Sequence, residues 1–381
     1  MRQKGSIGAM KFVCSKANLL SGLQIVLKAV PSKTTMSILQ CILIDTTEGV
    51  IKFIANDMEL GIETIVEGNI LDRGYIAIDA KIFFDIVKKL PDNDVSIESQ
   101  NVEGNIKVNI SCEKAKFTIL GRSGDDFSYL PSIERIDGVQ ISQYTLRNII
   151  LQTIFSIAEN DTNKVMGGEL FEVDDNILKM VSLDGHRISI RRVELAGQYG
   201  YKKVIVPGKA LSEISKILTD STESIVNIFF TDKHVLFEFE RTVVVSRLLD
   251  GEYFNIDQML SSDYETKLTI NRREFLDCID RATLLVKEGD KRPVIISIED
   301  GFLEMKINSA VGSMDEKVDI DKQGKDLKIG FNPKFLIDAL RAIDDDDVDM
   351  YLVNPKAPCF IKDADASYTY LILPVNFTTV D

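Results

Sequence analysis

The sequence repeats one pair of amphipathic helices three times, at a spacing of about 125 residues. The second helix of each pair begins near a lysine that precedes apolar residues at helical spacing: Lys81, Lys209 and Lys334. The first helix begins at a candidate N-cap residue, with a large apolar residue four positions later; these caps are Ser15, Ser142 and Asn271. Because two helices recur in step, a repeated domain explains the pattern better than coincidence among unrelated helices.

Short strand-like runs follow each helix, which predicts an α+β fold of three domains, each ordered helix, strands, helix, strands. Examples are residues 38–45 in the first repeat and the separate runs 170–173 and 178–182 in the second. Asp57 and Asp184 also occupy matching positions, 127 residues apart. We therefore expect domains at 10–136, 137–264 and 265–381, and we interpret residues 1–9 as a non-native or start-site extension.

Several protein classes are disfavoured by the sequence. Its apolar runs are far shorter than the roughly 20 residues that cross a bilayer. Its five cysteines contain no Cys-x-x-Cys pair, and residues 1–9 lack the apolar stretch of a secretory signal. We expect a cytoplasmic protein with reduced, buried thiols.

The charge is unevenly distributed along the chain. The six helical segments 15–33, 79–90, 142–158, 208–220, 271–288 and 332–343 together carry +6, whereas the whole chain carries −14. A basic helical surface on an acidic body could admit DNA at one face and repel it elsewhere. The same charges would also suit solvated helices that contact no ligand.

Specific motifs resemble those of the bacterial beta sliding clamp family, the processivity subunits of replicative DNA polymerase III. The resemblance runs from Met10 to Phe377, and its most specific stretches are residues 184–187, 204–207, 249–251, 329–332 and 370–374. It implies a DNA clamp fold: a head-to-tail homodimeric ring with helices inside and sheets outside, threaded by double-stranded DNA. It also implies no enzymatic activity, no cofactor and no metal.

The resemblance further implies a pocket that binds short peptides of partner proteins: the polymerase catalytic subunit, the clamp loader, repair polymerases and mismatch-repair proteins. Its residues would be Met166, Leu183, Gly185, His186, Arg187, Ile188, Phe254, Gln258, Met259, Asn332, Phe335, Lys356, Pro358, Leu371, Leu373, Pro374, Val375 and Asn376. Phe254 and Asn376 depart from the common family pattern of Pro and Arg, which puts the partner preference in question.

Two further surfaces are expected. Residues facing DNA would be Lys33, Asn160, Lys164 and Lys209 by resemblance and charge, and Lys202, Lys203, Lys291 and Arg292 from charge alone. The dimer seam would contain Phe117 on an edge strand of the first domain, and Leu284 and Leu285 of the partner's third domain.

Three other interpretations remain open at this point. Asp184, His186 and Arg187 could serve an enzyme acting on a phosphate or ester, although no glycine-rich phosphate loop accompanies them. The acidic run 344–347 could imitate a cation site, although it lacks the alternating spacing of a calcium loop. An acidic three-repeat scaffold that binds proteins without encircling DNA is the main alternative function.

Overall fold

The computed structural model describes residues 10–102, 105–158, 163–260, 263–285 and 293–377, which form two compact units. Unit 1 contains the described residues up to 144 together with Lys216–Leu248. Unit 2 contains Thr145–Ser215 and the described residues from Leu249 onward. In these ranges, no helix is long and apolar enough to cross a membrane.

Unit 1 combines two helices with an antiparallel sheet that has 13 strands among the described residues. The helices are α1 (Lys16–Val26) and α2 (Ala80–Lys89). The strands are β1 (Lys11–Ser15), β2 (Cys41–Asp45), β3 (Ile51–Asn56), β4 (Leu60–Val66), β5 (Asn69–Asp72), β6 (Tyr75–Asp79), β7 (Asp94–Val102), β8 (Asn105–Cys112), β9 (Ala115–Arg122), β10 (Val139–Ser142), β13 (Ile225–Phe230), β14 (His234–Phe239) and β15 (Thr242–Arg247).

Helix α3 (Gln143–Leu151) begins at the boundary of the units and lies mainly in unit 2, which also contains α4 (Gly208–Ser215), α5 (Arg272–Thr283) and α6 (Pro333–Ala342). The described strands of unit 2 form a ten-stranded antiparallel sheet. They are β11 (Gly168–Leu183), β12 (Arg187–Pro207), β16 (Thr266–Asn271), β17 (Val294–Glu299), β18 (Phe302–Ser309), β19 (Gly312–Gly324), β20 (Leu327–Phe331), β21 (Asp347–Leu352), β22 (Cys359–Lys362) and β23 (Tyr368–Ile372).

The predicted caps explain where several helices begin. The side chains of Ser15 and Asn271 accept hydrogen bonds from the backbone N–H three residues later, at 3.2 and 3.1 Å. Asp79 caps α2 in the same way, at 2.8 Å, and Asn332 caps α6 by accepting from the backbone N–H two residues later, at 3.0 Å. These bonds satisfy N–H groups that lack a partner inside the helix.

Apolar packing then fixes the inner face of each helix. Leu19 and Leu23 of α1, and Phe275 and Ile279 of α5, are fully buried. The repeat therefore has a physical basis, because equivalent helix faces are covered by equivalent sheets.

Two strand predictions are corrected by the structure. Residues 38–40 belong to the 3-10 turn Ser37–Gln40, so β2 begins only at Cys41. The runs 170–173 and 178–182 lie in the single strand β11, which continues through Asp175. The pairing register with β12 shifts on either side of Asp175, whose φ is 52°, so a bulge accommodates the polar residues without ending the strand.

The last strand of each unit joins a strand from earlier in the chain. In unit 1, β15 pairs with β4; in unit 2, β23 pairs with the beginning of β12. The second pairing brings the residues after β23 beside the turn that connects β11 to β12. The three domain boundaries themselves stay a prediction.

Candidate functional site

A tight turn between β11 and β12 forms one wall of the candidate site in unit 2. The Asp184 Oδ1 atom accepts hydrogen bonds from the backbone N–H groups of His186 and Arg187, at 3.0 and 3.1 Å. Gly185 has a φ of +81°, a left-handed conformation that glycine adopts without steric cost. The turn leaves His186 exposed while Arg187 points into the unit.

Arg187 is held by three different groups. Its Nε lies 3.0 Å from Asp184 Oδ2, its Nη1 lies 2.6 Å from Asp338 Oδ2, and its Nη2 donates to the Phe155 carbonyl. The side chain is only 7% exposed. A buried guanidinium requires such partners, because an unpaired one would lose its hydration without compensation.

Aromatic rings cover both the arginine and the neighbouring histidine. The guanidinium carbon of Arg187 lies 4.5 Å from the centroid of the Phe335 ring and 5.4 Å from that of Phe155. The His186 ring stacks on Phe335, with centroids 6.1 Å apart and planes at 22°. Phe335 is therefore held in contact with both residues, and its position depends on them.

The segment after β23 forms the second wall. Leu371 pairs with Ile188, the Leu373 N–H donates to the His186 carbonyl at 2.8 Å, and the Val375 N–H donates to the Gly330 carbonyl at 2.8 Å. The first bond holds Leu373 against the turn, and the second holds Val375 against Gly330 of β20. Their side chains remain partly exposed, as a surface that captures a ligand requires.

Six of the predicted pocket residues share one apolar cluster: Met166, Leu183, Ile188, Phe254, Leu371 and Leu373. Arg187, His186 and Phe335 are linked to one another as described above, and Asn332 caps the helix that carries Phe335. The structure thus brings together predicted residues from four distant parts of the chain.

The remaining predicted pocket residues are more exposed. Gln258 and Met259 lie in the 3-10 turn Asp257–Met259, and Lys356 is exposed in the turn between β21 and β22. Pro358, Pro374 and Asn376 are partly or fully exposed. A groove of about 870 Å³ lies elsewhere in unit 2, along β17, β18 and β19, and it shares only Asn376 with the predicted pocket.

Two residues of the site were not predicted, Phe155 and Asp338. Asp338 lies three residues after Phe335 on α6, and this spacing places both on one helix face, so the sequence contained a usable signal. Phe155 lies in the 3-10 turn Ile154–Ser156, and no periodic pattern links it to Arg187.

The predicted DNA-facing lysines have different environments. Lys33, Lys164, Lys203 and Lys209 are exposed, whereas Lys202 is partly buried. Lys202 and Lys203 are consecutive on β12, so their side chains point to opposite faces of the sheet. Asn160, Lys291 and Arg292 lie outside the described residues.

The predicted seam residues lie on strand β9 of unit 1 and at the end of helix α5 in unit 2. Phe117 lies on β9 and is 40% exposed. Among the described residues, strand β6 pairs with β9 only at Gly121 and Arg122, so it does not cover the edge of β9 at Phe117. Leu284 is 80% exposed, and Leu285 is partly buried directly after it.

The acidic run 344–347 is engaged in local hydrogen bonds. Gln152 donates to Asp344 at 3.4 Å, and the Tyr368 hydroxyl donates to Asp345 at 3.0 Å. Within the described ranges, no group of three or more His, Cys, Asp or Glu residues has the arrangement of a metal site.

Comparisons with known proteins agree over nearly the whole chain. Family models match for the N-terminal, central and C-terminal domains of the DNA polymerase III beta subunit, at residues 10–131, 140–255 and 257–376. The beta sliding clamp of Staphylococcus aureus is 36% identical over 378 residues, covering 96% of this chain and 99% of the relative.

Two solved structures extend the likeness. A protein from Eubacterium rectale, assigned as a DNA polymerase III beta subunit, is 64% identical and has a TM-score of 0.93, with 97% of this chain and 100% of that chain covered. The sliding clamp of Pseudomonas aeruginosa bound to griselimycin is 25% identical and has a TM-score of 0.88, with the same coverage. The chain therefore belongs to the DNA polymerase III beta subunit family, the bacterial beta sliding clamps.

Proposed function

We propose that this protein is a DNA sliding clamp that encircles duplex DNA and tethers the replicative polymerase and other replication and repair proteins through the pocket in unit 2. The observation that carries the proposal is the assembly of that pocket from residues far apart in the sequence. Leu183 and Ile188, which flank the turn, share one apolar cluster with Leu371 and Leu373. Phe335 packs against a neighbouring cluster and contacts His186 and Arg187 of the same turn.

The pocket suits short peptides with apolar side chains. Leu, Ile, Met and Phe side chains supply apolar contacts, while exposed polar groups such as His186 and Asn376 can fix a peptide backbone. Phe254 and Asn376 stand where the family commonly has Pro and Arg. We expect these two residues to change which partner peptides bind best.

The ring would form through the open strand edges. Residues 115–120 of β9 pair only with β8 among the described strands, and residues 312–319 of β19 pair only with β18. The unpaired N–H and C=O groups of an exposed edge strand can bond to a strand of another chain, and closure of a ring leaves no such edge free. We place Phe117 of one protomer against Leu284 and Leu285 of its partner.

Retention on DNA would then be topological. The exposed Lys33, Lys164 and Lys209 can attract phosphates, and the acidic remainder of the chain repels them. Weak phosphate contacts carry no base information and leave the ring able to slide. This role requires no catalysis and no cofactor, and we place it in the cytoplasm.

The test combines solution mass with retention on circular DNA. We expect a dimer of two 42.7 kDa chains that a clamp loader places on nicked circular DNA, and that leaves when the circle is cut. A monomer that binds partner peptides but is never retained on the circle would favour the scaffold function. A dimer that stays bound after linearisation would contradict topological retention.

A further inference from the structure

Glu169, the second residue of β11, is completely buried in unit 2. Its Oε2 atom lies 2.9 Å from the Thr153 hydroxyl, and within the described residues its Oε1 atom has no hydrogen-bond partner. An ionised carboxylate in this position would lose its hydration and gain one hydrogen bond in return, which is strongly unfavourable.

The hydrogen-bond directions at Thr153 decide the protonation state of Glu169. The Thr153 Oγ1 atom also lies 2.7 Å from the Ile149 carbonyl, which can only accept. A hydroxyl has one proton to donate, so when Thr153 donates it to Ile149, the Glu169 carboxyl must supply the proton of the other bond. Burial raises the pKa of Glu169 to about 8, against the smaller opposing effect of Thr153, in agreement with a neutral acid at pH 7.

Thr153 begins the segment 153–158, which lies under the pocket. The Phe155 carbonyl accepts from Arg187, and the Phe155 ring lies against the Arg187 guanidinium. The Ala158 N–H donates to the Met166 carbonyl at 2.9 Å. Both Arg187 and Met166 are therefore held by a segment whose first residue is bonded to Glu169.

We propose that Glu169 is a positioning residue of the peptide pocket, whose neutral carboxyl donates to Thr153 and so fixes the segment 153–158 beneath Arg187. This inference rests on the proposed function. When the Glu169 proton passes to solvent, the Thr153 hydroxyl turns to the new carboxylate, and the Ile149 carbonyl loses its donor. A buried negative charge then lies beside the segment, and the pocket loses its fixed support.

The groups around Glu169 offer little compensation for that charge. Val206 of β12 lies opposite it in the strand pairing, and the Tyr253 hydroxyl donates to the Val181 carbonyl at 3.1 Å. Burial and the nearby Glu169 both raise the pKa of Tyr253, so it stays neutral. The charged residues on the adjoining helices and turn are at least partly exposed: Arg147, Lys164, Lys209 and Glu213.

The test compares the full-length wild-type protein with Glu169→Gln and Glu169→Ala. The probe is a fluorescein-labelled hexapeptide that carries adjacent Leu and Phe residues, and its affinity is measured from pH 6.5 to 9.5. We expect wild-type affinity to fall several-fold above pH 8. Glu169→Gln keeps a neutral donor, so its affinity should not fall there, whereas Glu169→Ala should bind weakly at every pH. His186 is present in all three proteins and cancels in the comparison.

Thermal unfolding of the same three proteins, measured from pH 4 to 9.5, gives an independent readout. Because the pKa of Glu169 is raised in the folded state, the unfolded chain releases this proton first, and stability falls from about pH 4.5 to pH 8 and is level above. The Tm of Glu169→Gln should therefore exceed that of the wild type increasingly over this range.

Three results would overturn the inference. Equal pH profiles of Tm would show that Glu169 is not a buried neutral acid. A Tm difference with equal affinity profiles would show a neutral acid that does not position the pocket. Absence of peptide binding by all three proteins at every pH would overturn the proposed function as well, while the Tm profile would still report the state of Glu169.

Discussion

Asp57 and Asp184 make the same pair of hydrogen bonds in turns that lie 127 residues apart in the sequence. Asp57 Oδ1 accepts from the backbone N–H groups of Glu59 and Leu60, at 3.0 and 2.7 Å, and Asp184 Oδ1 accepts from those of His186 and Arg187. The backbone after each aspartate also corresponds. The Arg247 N–H donates to the Glu59 carbonyl, and the Leu373 N–H donates to the His186 carbonyl. One turn design therefore serves two repeats, but only the second carries the Arg187 and Phe335 contacts of the pocket.

This correspondence provides a matched pair of variants. We expect Asp57→Ala and Asp184→Ala each to lower the free energy of unfolding by about 1–3 kcal/mol, because each removes a charged acceptor of two N–H groups. Only Asp184→Ala should weaken peptide binding, by about tenfold or more, since it also releases Arg187. Denaturant unfolding and fluorescence polarisation measure the two effects. If the two variants bind the peptide with equal affinity, the Asp184–Arg187 contact does not contribute to peptide binding.

The same turns differ in backbone strain. Met58 has a φ of +77°, at the position that Gly185 occupies in the second repeat with +81°. Met58→Gly should be about 1 kcal/mol more stable than Met58→Ala, because both remove the side chain but only glycine accepts this φ freely. Gly185→Ala should lower the free energy of unfolding by a similar amount, because alanine is strained at this φ. Steric clash adds nothing, since the nearest atom to an added Cβ is Met166 Cε at 3.8 Å. If Met58→Gly and Met58→Ala unfold at the same denaturant concentration, the turn is not strained.

The dimer seam can be tested at its most exposed apolar residue. Leu284→Glu should shift the protein from dimer to monomer, because a charge would be buried at the seam, and should leave the peptide affinity of unit 2 unchanged. Leu71→Glu is the control, since Leu71 is a 52% exposed leucine on β5, away from the proposed seam. Sedimentation over a range of protein concentrations measures the outcome. If Leu284→Glu dimerises with the same dissociation constant as the wild type, the dimer seam does not include Leu284.

The DNA-facing lysines can be tested by charge reversal. Lys33→Glu combined with Lys209→Glu should reduce loading on circular DNA, most strongly at low salt, while the dimer persists. Lys114→Glu combined with Lys325→Glu makes the same net charge change at two other exposed lysines and should load normally. If both double variants load equally well, the positions of Lys33 and Lys209 do not matter for loading, and only the net charge of the protein does.

Much of the fold follows from local patterns in the sequence. The helix starts at Ser15, Asp79, Asn271 and Asn332 were predictable because a cap and an apolar helix face lie within a few residues of each other. The single strand β11 was not predicted, because residues 174–176 are polar and turn-like. Pairing with β12 on both sides of the bulge overrides this local preference.

The pocket illustrates a different limit. Its predicted residues came from the family resemblance, whereas the contacts that hold Arg187 depend on tertiary packing. The carbonyl of Phe155 and the carboxylate of Asp338 reach Arg187 from positions 32 and 151 residues away. The neutral state of Glu169 is equally invisible in sequence, because it follows from burial and from the direction of one hydroxyl bond.

The pairing of β23 with β12 also sets an order of events during protein synthesis. Ile372 pairs with Arg187, so the second wall of the candidate site can form only after residues 368–375 have been synthesised. A chain that stops before residue 368 lacks the Leu373 and Val375 bonds, so we expect it to bind partner peptides weakly even where the rest of unit 2 has folded.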